Sequence, residues 1–346
     1  MRCFISKNYR HTNSAGDKAK TDIEAVMLDL GFKNLGLKQN RTKNAVGAYF
    51  ITLASIMRGL SRLKKGDVLV IQYPLKKYYD FVVKQARKRG AEVITVIHDL
   101  GSFRRKKLTV EEEIERLNRS SALVVHSPAM QDWLKKQGLT TPTTVLGLFD
   151  YLSDSMPSGG KHSVGNRPQL MFAGDVSPVH NEWIYKLSET QPQVDLILYG
   201  GGLDRDRATD NMKPMGYVDS DTLIASAKGD YGIVWYGSSL DEGSGALGEY
   251  LKYNAPHKTS LYLRAGLPVI IWDKAALAGI VKKLDVGVCV PSLGNIAEVL
   301  AGITPERYAQ MRANAQKVAV GLSKGDFISE ALGKAEKSID RAAQDN

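Results

Sequence analysis

Short apolar runs of four to eight residues recur along the chain and alternate with helix-length amphipathic stretches: DVLVIQY at 67–73, EVITVIHD at 92–99, ALVVHS at 122–127, QLMFAG at 169–174, DLILYG at 195–200 and YGIVW at 231–235. None has the polar alternation of a sheet with one wet face, so each reads as a strand covered on both sides. The helical stretches between them are the crossovers that parallel pairing requires. The chain opens on the same pattern, with an apolar strand at 2–7, the polar loop NYRHTNSAG and a helix from about 17 to 30. The prediction is an α/β protein built on parallel sheets.

A chain of 346 residues is long enough for two cores. The stretch DYLSDSMPSGGKHSVGNRP lacks an apolar period and is rich in Ser, Gly and Pro, as an interdomain linker is. The expected division is an N-terminal domain over 1–150, a linker over 151–168, a second domain over 169–325 and a last helix within 326–346. In the first domain a helical pattern spans 45–63, and LKKYYDFVVKQARKRG follows the 67–73 strand with Tyr79, Val82, Val83 and Ala86 on one face. Thr109 and Glu112 make a capping box for a helix through Asn118. TTVLGLF, 143–149, is the last strand of that domain, and helices near 294–301, 304–321 and 325–342 end the chain.

The net charge of +10 calls for anionic partners without choosing among them. Basic residues concentrate at 64–65, 76–77, 84–89 and 104–107, which leaves peripheral contact with an anionic membrane open. No nucleic-acid-binding module or strand platform of aromatics accompanies them, so nucleic acid is not an expected partner. No run is long and apolar enough to span a bilayer, and MRCFISKNYR lacks a signal-peptide core. The expected location is cytoplasmic, with the inner membrane face as its peripheral variant. Cys3 and Cys289 sit in separate apolar runs and read as reduced buried thiols. Gly200, Gly201 and Gly202 lack the spacing and acidic partner of a dinucleotide fingerprint, which argues against a nicotinamide dehydrogenase. With no zinc spacing and no DxD at a strand end, neither a metal nor a cofactor is expected.

Open α/β sheets bind ligands at the carboxyl ends of their strands. On that ground Ser14, Ala15 and Gly16 offer backbone donors after the first strand. His98 and Asp99 close 92–99 and qualify either as a base toward a hydroxyl or as a pair that caps the turn. Arg104 and Arg105, in SFRRKK, lie on the same rim and qualify for acceptor contact, while His126 and Ser127 read as structural. The stretch 241–290 runs from a glycine-rich loop through a polar turn, Asn254 to Lys258, into a helix, a glycine turn, a strand, another helix and a last strand. Thr259 and Ser260 place hydroxyls and N–H groups at a helix start beside Lys258, which suits a phosphate; a capped helix with a surface lysine is the plain alternative. Gly243, Ser244 and Gly245 permit close approach of a phosphate or sugar.

NAPHKTSLYLRAGLPVI, followed by an amphipathic helix and VGVCV, resembles the donor half of GT-B glycosyltransferases, which have two facing Rossmann-like domains and a deep interdomain cleft. Lys258 stands eight residues before Gly266 of the AGxPVI turn, and the resemblance implies that it contacts the donor pyrophosphate. Many members carry Glu five residues before that glycine, where this chain has Leu261. That departure, with LDEGSGALGEYLKYNAPHKTSLYL, is similar to a narrower branch: the accessory glucosyltransferases of serine-rich-repeat adhesins and related beta-1,6-galactofuranosyltransferases. The resemblance implies donor phosphates at FAGDVSP, with Ser177, uracil stacked on Tyr217, and Asn254 and Thr259 on the donor side. It also implies that the loop at Gly16 closes over the site, that the last helix crosses back to the first domain, and that the chain forms a homo-oligomer. Asp241 and Glu242 are candidates for the sugar-hydroxyl role vacant at Leu261.

The resulting expectation is a metal-independent hexosyltransferase with a UDP-sugar co-substrate, UDP-glucose before UDP-galactofuranose. Its acceptor would be a GlcNAc-bearing or other glycan, a glycoprotein or a lipid-linked sugar. A non-catalytic nucleotide-sugar-binding partner of a glycosylation complex is the rival of another class.

Overall fold

The computed structural model describes residues 1–9, 15–104, 108–157 and 167–344. The chain divides into two compact units, one formed by Met1–Asp150 with Gly325–Asn346 and the other by Tyr151–Lys324.

The first unit runs through β1 (Arg2–Phe4), α1 (Ala15–Asp29), β2 (Lys33–Asn34), α2 (Ala45–Arg62), β3 (Val68–Tyr73), a 3-10 turn (Lys76–Tyr78), α3 (Tyr79–Lys88), β4 (Glu92–Ile97), α4 (Gly101–Arg104), α5 (Val110–Leu117), β5 (Ala122–Val125), α6 (Pro128–Lys136) and β6 (Thr143–Val145). Its strands are all parallel, in the order β2-β1-β3-β4-β5-β6. Winding reverses between β1 and β3, so a crevice opens at their carboxyl ends. α3 buries Tyr79, Val82, Val83 and Ala86, the face expected from periodicity. The capping box forms as well: Glu112 N–H donates to Thr109 Oγ1 at 3.1 Å and Thr109 N–H to Glu112 Oε2 at 2.9 Å. β1 ends earlier than the expected 2–7 because the Ser6 N–H goes to the Asn34 side chain at 3.2 Å, outside the strand ladder. β6 covers three residues where seven were expected.

The second unit contains β7 (Gln169–Ala173), α7 (Pro178–Asn181), α8 (Trp183–Thr190), β8 (Asp195–Tyr199), β9 (Met212–Gly216), α9 (Ser220–Ser226), β10 (Tyr231–Val234), α10 (Gly245–Tyr250), α11 (His257–Arg264), β11 (Val269–Trp272), α12 (Ala278–Leu284), β12 (Gly287–Val290), α13 (Ile296–Ala301) and α14 (Pro305–Lys324). The parallel order is β12-β11-β10-β7-β8-β9, with the reversal between β7 and β10. The buried Arg264 guanidinium donates to the Ser153 and Ser155 carbonyls, both at 2.7 Å, and ties that segment to α11.

α15 (Asp326–Gln344) belongs to the first unit and lies on β4, β5 and β6. Its N-terminus is held by the Asp150 carboxylate, which accepts from Phe327 N–H at 3.2 Å and Ile328 N–H at 2.7 Å. Burial pushes the Asp150 carboxyl up to about 7 against the pull of those donors. Both cysteines are free, Cys3 buried and Cys289 only half-buried. Among the described residues no helix is long and apolar enough to cross a membrane.

Candidate active site

In the second unit the site begins where β7 and β10 part. They pair only at Leu170 with Tyr231 and Met171 with Gly232. Tyr262 of α11 bridges this point, since its ring rests on the bare Gly232 backbone and its hydroxyl accepts the Ala173 N–H at 2.9 Å. α11 is thereby anchored across the switch point, with Lys258 in its first turn.

The Lys258 Nζ lies 3.7 Å from the centroid of Phe172, on β7, and 4.9 Å from that of Tyr236, just past β10. Room for it depends on Gly174, where a Cβ would fall 2.7 Å from the nitrogen. Gly174 in turn meets Gly200 at the end of β8, where φ is +136° and a Cβ would fall 1.8 Å from the Gly174 carbonyl oxygen. Two strand ends therefore close around one ammonium. Burial pushes the Lys258 amine down to about 7, and the charge of Asp175 opposes that shift. Among the described residues no carboxylate forms an ion pair with it. Ring faces attract a cation but do not neutralise it.

Asp175 holds the turn beside it. Its Oδ1 accepts from Ser177 N–H at 3.0 Å and its Oδ2 pairs with His180 Nδ1 at 2.6 Å. Desolvation pushes the Asp175 carboxyl up, but the Ser177 and His180 contacts outweigh it and leave the group below its ordinary value. Asp175, Phe172 and Tyr236 were not singled out in the sequence, although FAGDVSP contains the first two.

The other candidates divide by what they already do. α11 begins at His257, with Pro256 fixing the entry at φ −62°. The Thr259 N–H is therefore spent on the Pro256 carbonyl, at 3.0 Å, and Thr259 and Ser260 face the core. This corrects the expectation of free N–H groups there. Ser244 Oγ accepts from Ser238 and Ser239 N–H at 2.7 and 3.2 Å, and Gly243 packs on the Gly248 backbone, so both shape their own loop. The loop residues after 244 form α10. Ser177 stands at the N-cap position of the short α7, with no cap bond from its side chain. Asn254 keeps a buried Oδ1 with no partner among the described residues. Tyr217 is 67% exposed at the end of the edge strand β9. Asp241 accepts from Ser292 Oγ at 2.8 Å, and Glu242 is exposed.

In the first unit, His98 follows β4 and stacks on Phe149 at 5.3 Å. Gln72 Nε2 donates to the Lys20 carbonyl, which turns Gln72 Oε1 toward His98 Nε2 at 2.8 Å. Asp99 is half-buried beside it. His126 is buried, donates to the Ile97 carbonyl at 2.9 Å and is pushed down to about 4 by desolvation, while Ser127 caps α6. Both are structural. Gly16 lies in the first turn of α1; Ser14 and Arg105 fall outside the described residues, as does the Arg104 side chain.

The crevice at β1 and β3 holds a feature not anticipated from sequence. Glu24 of α1 is buried and accepts from Ser6 Oγ at 2.7 Å, Gln39 Nε2 at 3.1 Å and the Tyr9 hydroxyl. Burial pushes its carboxyl up, with these donors opposing. A recess beside it is lined by Phe4, Ile5, Lys7, Tyr9, Gln72 and Leu75, among others. Glu24 sits in an ordinary helical pattern, so no local signal marks it.

Comparison with known proteins decides the family. Residues 2–148 match the description "Glucosyltransferase 3-like, N-terminal domain" and residues 170–335 match "Glucosyltransferase 3-like, C-terminal domain". This chain belongs to the glucosyltransferase 3-like family. Beta-1,6-galactofuranosyltransferase WbbI of Escherichia coli (strain K12) is 28% identical over 321 residues, covering 92% of this chain and 93% of its own. Glucosyltransferase 3 of Streptococcus gordonii is 27% identical over 334 residues, covering 91% and 92%. Among solved structures, the glycosyltransferase AviGT4 matches with a TM-score of 0.55 at 14% identity, covering 98% of each chain. The lipopolysaccharide outer core galactosyltransferase WaaB matches at 0.56 and 10%, covering 96% of this chain and 99% of its own. The fold of this glucosyltransferase 3-like chain is GT-B, and the chain is a glycosyltransferase.

Proposed function

We propose that the chain moves a hexose from a UDP-sugar to a glycan hydroxyl, with the donor diphosphate at Lys258. The observation that carries this reading is the half-buried ammonium at the β7/β10 switch point, with two aromatic faces for neighbours and no paired carboxylate. In the reaction the acceptor oxygen bonds to the anomeric carbon, and the bond from that carbon to the β-phosphate oxygen breaks. UDP leaves with the electron pair and the acceptor proton passes to a base. Lys258 stabilises the charge gathering on the leaving diphosphate. His98 is the candidate base. Exposed Tyr217 is the candidate platform for the uracil ring, and Asn254 a candidate donor contact.

UDP-glucose is the donor we favour, from the family match and the Streptococcus gordonii relative. UDP-galactofuranose is the second reading, favoured by the galactofuranosyltransferase relative. A screen of UDP, GDP, ADP and NAD by calorimetry, then of UDP release from both donors with a GlcNAc-terminated acceptor, tests the proposal. Selective UDP binding with acceptor-dependent turnover of one donor supports it. Binding without turnover favours a non-catalytic partner, and absence of UDP binding overturns the donor site.

Donor affinity should also depend on pH. A UDP-sugar has no ionising phosphate proton near neutrality, so a change around pH 7 reports the protein. The free amine titrates at about 7, and a bound diphosphate raises that value, so binding takes up a proton. Affinity is then greatest below about pH 7 and falls about tenfold per pH unit above it, until the pKa of the bound state is reached. Calorimetry of UDP-glucose in buffers of different ionisation enthalpy measures both the affinity and the proton uptake.

A further inference from the structure

Helix α2 carries more apolar surface than the fold uses. It buries Ala48, Ile56, Gly59 and Leu60 against the first unit, yet Val46, Phe50 and Met57 stand 64%, 59% and 51% exposed. Their spacing, with half-buried Leu53 between them, makes a second stripe along the same helix. Tyr49 borders the stripe, stacked on Tyr78 at 6.0 Å, with the Lys77 Nζ 4.2 Å from its ring centroid. Phe81 of α3 is also exposed.

The charge around this stripe is one-sided. Residues 30–91 contain fourteen Lys and Arg against two Asp and Glu, a surplus of +12 in a chain whose total is +10. Neither acid offsets the exposed bases: Asp67 is buried and accepts from Lys64 N–H at 2.8 Å, while Asp80 pairs with Arg116 and Arg119 from outside the segment. Arg41, Lys43, Arg58, Arg62 and Lys77 are all exposed on or near α2.

We infer that the α2 face docks on an anionic lipid surface, with the aromatic and aliphatic stripe in the headgroup boundary and the surrounding cations on lipid phosphates. A second copy of this chain placed on the patch by two-fold symmetry would set these cations against their own kind. A nucleic acid would take the cations but leave Val46, Phe50 and Met57 without a partner. The lipid boundary accepts both halves of the surface, and the inference does not depend on the donor assignment.

The test is co-sedimentation of the full chain with vesicles of phosphatidylcholine and phosphatidylglycerol, against pure phosphatidylcholine, at low and high salt. The expected result is binding only to the anionic vesicles, weakened by salt. Each cation removed, as in Lys43→Gln or Lys77→Gln, lowers it about fivefold. The paired variant Phe50→Ser and Met57→Ser lowers it further while circular dichroism and UDP-glucose binding stay unchanged. Equal binding to neutral vesicles, or anionic binding indifferent to both sets of variants, overturns the inference. So does an oligomer that Phe50→Ser dissociates without any vesicle binding by the parent, or salt-sensitive RNA binding in place of lipid binding.

Discussion

Replacing Lys258 by methionine is expected to lower donor turnover by about 10²–10³-fold and to leave the melting temperature at or above that of the parent. The first effect follows from position. The amine lies at the β7/β10 switch point in the first turn of α11, where a diphosphate would meet it, and the described surroundings provide rings but no paired carboxylate. The second follows from linkage. Burial holds the folded-state amine at about 7 against an ordinary 10.5, so between those values the unfolded chain keeps a proton that the folded chain gives up. Stability therefore rises with pH across that window, and the lysine opposes folding below it. Methionine is unbranched, fills similar space over Phe172 and has no charge to desolvate. Thermal melts across this pH range should show the parent gaining stability and the variant flat by comparison. Lys258→Arg keeps a charge but brings a larger planar head to the space between the Phe172 and Tyr236 rings, so it should restore little activity. A folded methionine variant with undiminished UDP-glucose affinity would remove Lys258 from the site.

Much of this architecture was legible because it rests on local rules. Val, Ile and Leu runs predict strands covered on both faces, and β3, β4, β10 and β11 are buried almost throughout. The Thr109–Glu112 capping box and the buried face of α3 follow from spacing alone. What escaped depends on contacts distant in sequence. The buried Glu24 cluster joins residues from the segment after β1, from α1 and from the segment after β2, so no short window of sequence contains it. From sequence Lys258 is a cation at a helix start with no sign of its burial, and only Phe172, Gly174 and Tyr236 from other segments make it half-buried. The stripe at Val46, Phe50 and Met57 fails in the opposite sense: periodicity predicts an apolar face, but not whether a neighbour covers it. In the glycine-rich loop, Gly243 and Ser244 read as ligand contacts because flexibility and close packing use the same residues.

Gly232→Ala should strongly destabilise the second unit. The added carbon would fall 2.3 to 2.6 Å from three atoms of Tyr262, two of them in the ring and one its Cβ, with β10 fixed on both sides by pairing. The ring cannot simply turn away. Its hydroxyl accepts the Ala173 N–H, which has no β10 partner once the strands part, and its displacement would leave that part-buried donor unpaired. Overpacking of this kind costs about 1–3 kcal/mol, and the orphaned N–H about as much again. For a unit of this size the melting temperature should fall by about 5–15 °C. The same strain moves α11 and therefore Lys258, so donor affinity should drop even below the melting transition. Tyr262→Leu, destabilising alone, should be less damaging in the Gly232→Ala background than in the parent, because the smaller side chain admits the methyl. That positive coupling, measured by a double-mutant cycle in thermal or urea unfolding, tests whether the contact between Tyr262 and Gly232 sets the position of α11. Strict additivity would mean that α11 takes its place from its other contacts, and the link from β10 through Tyr262 to Lys258 would have to be given up.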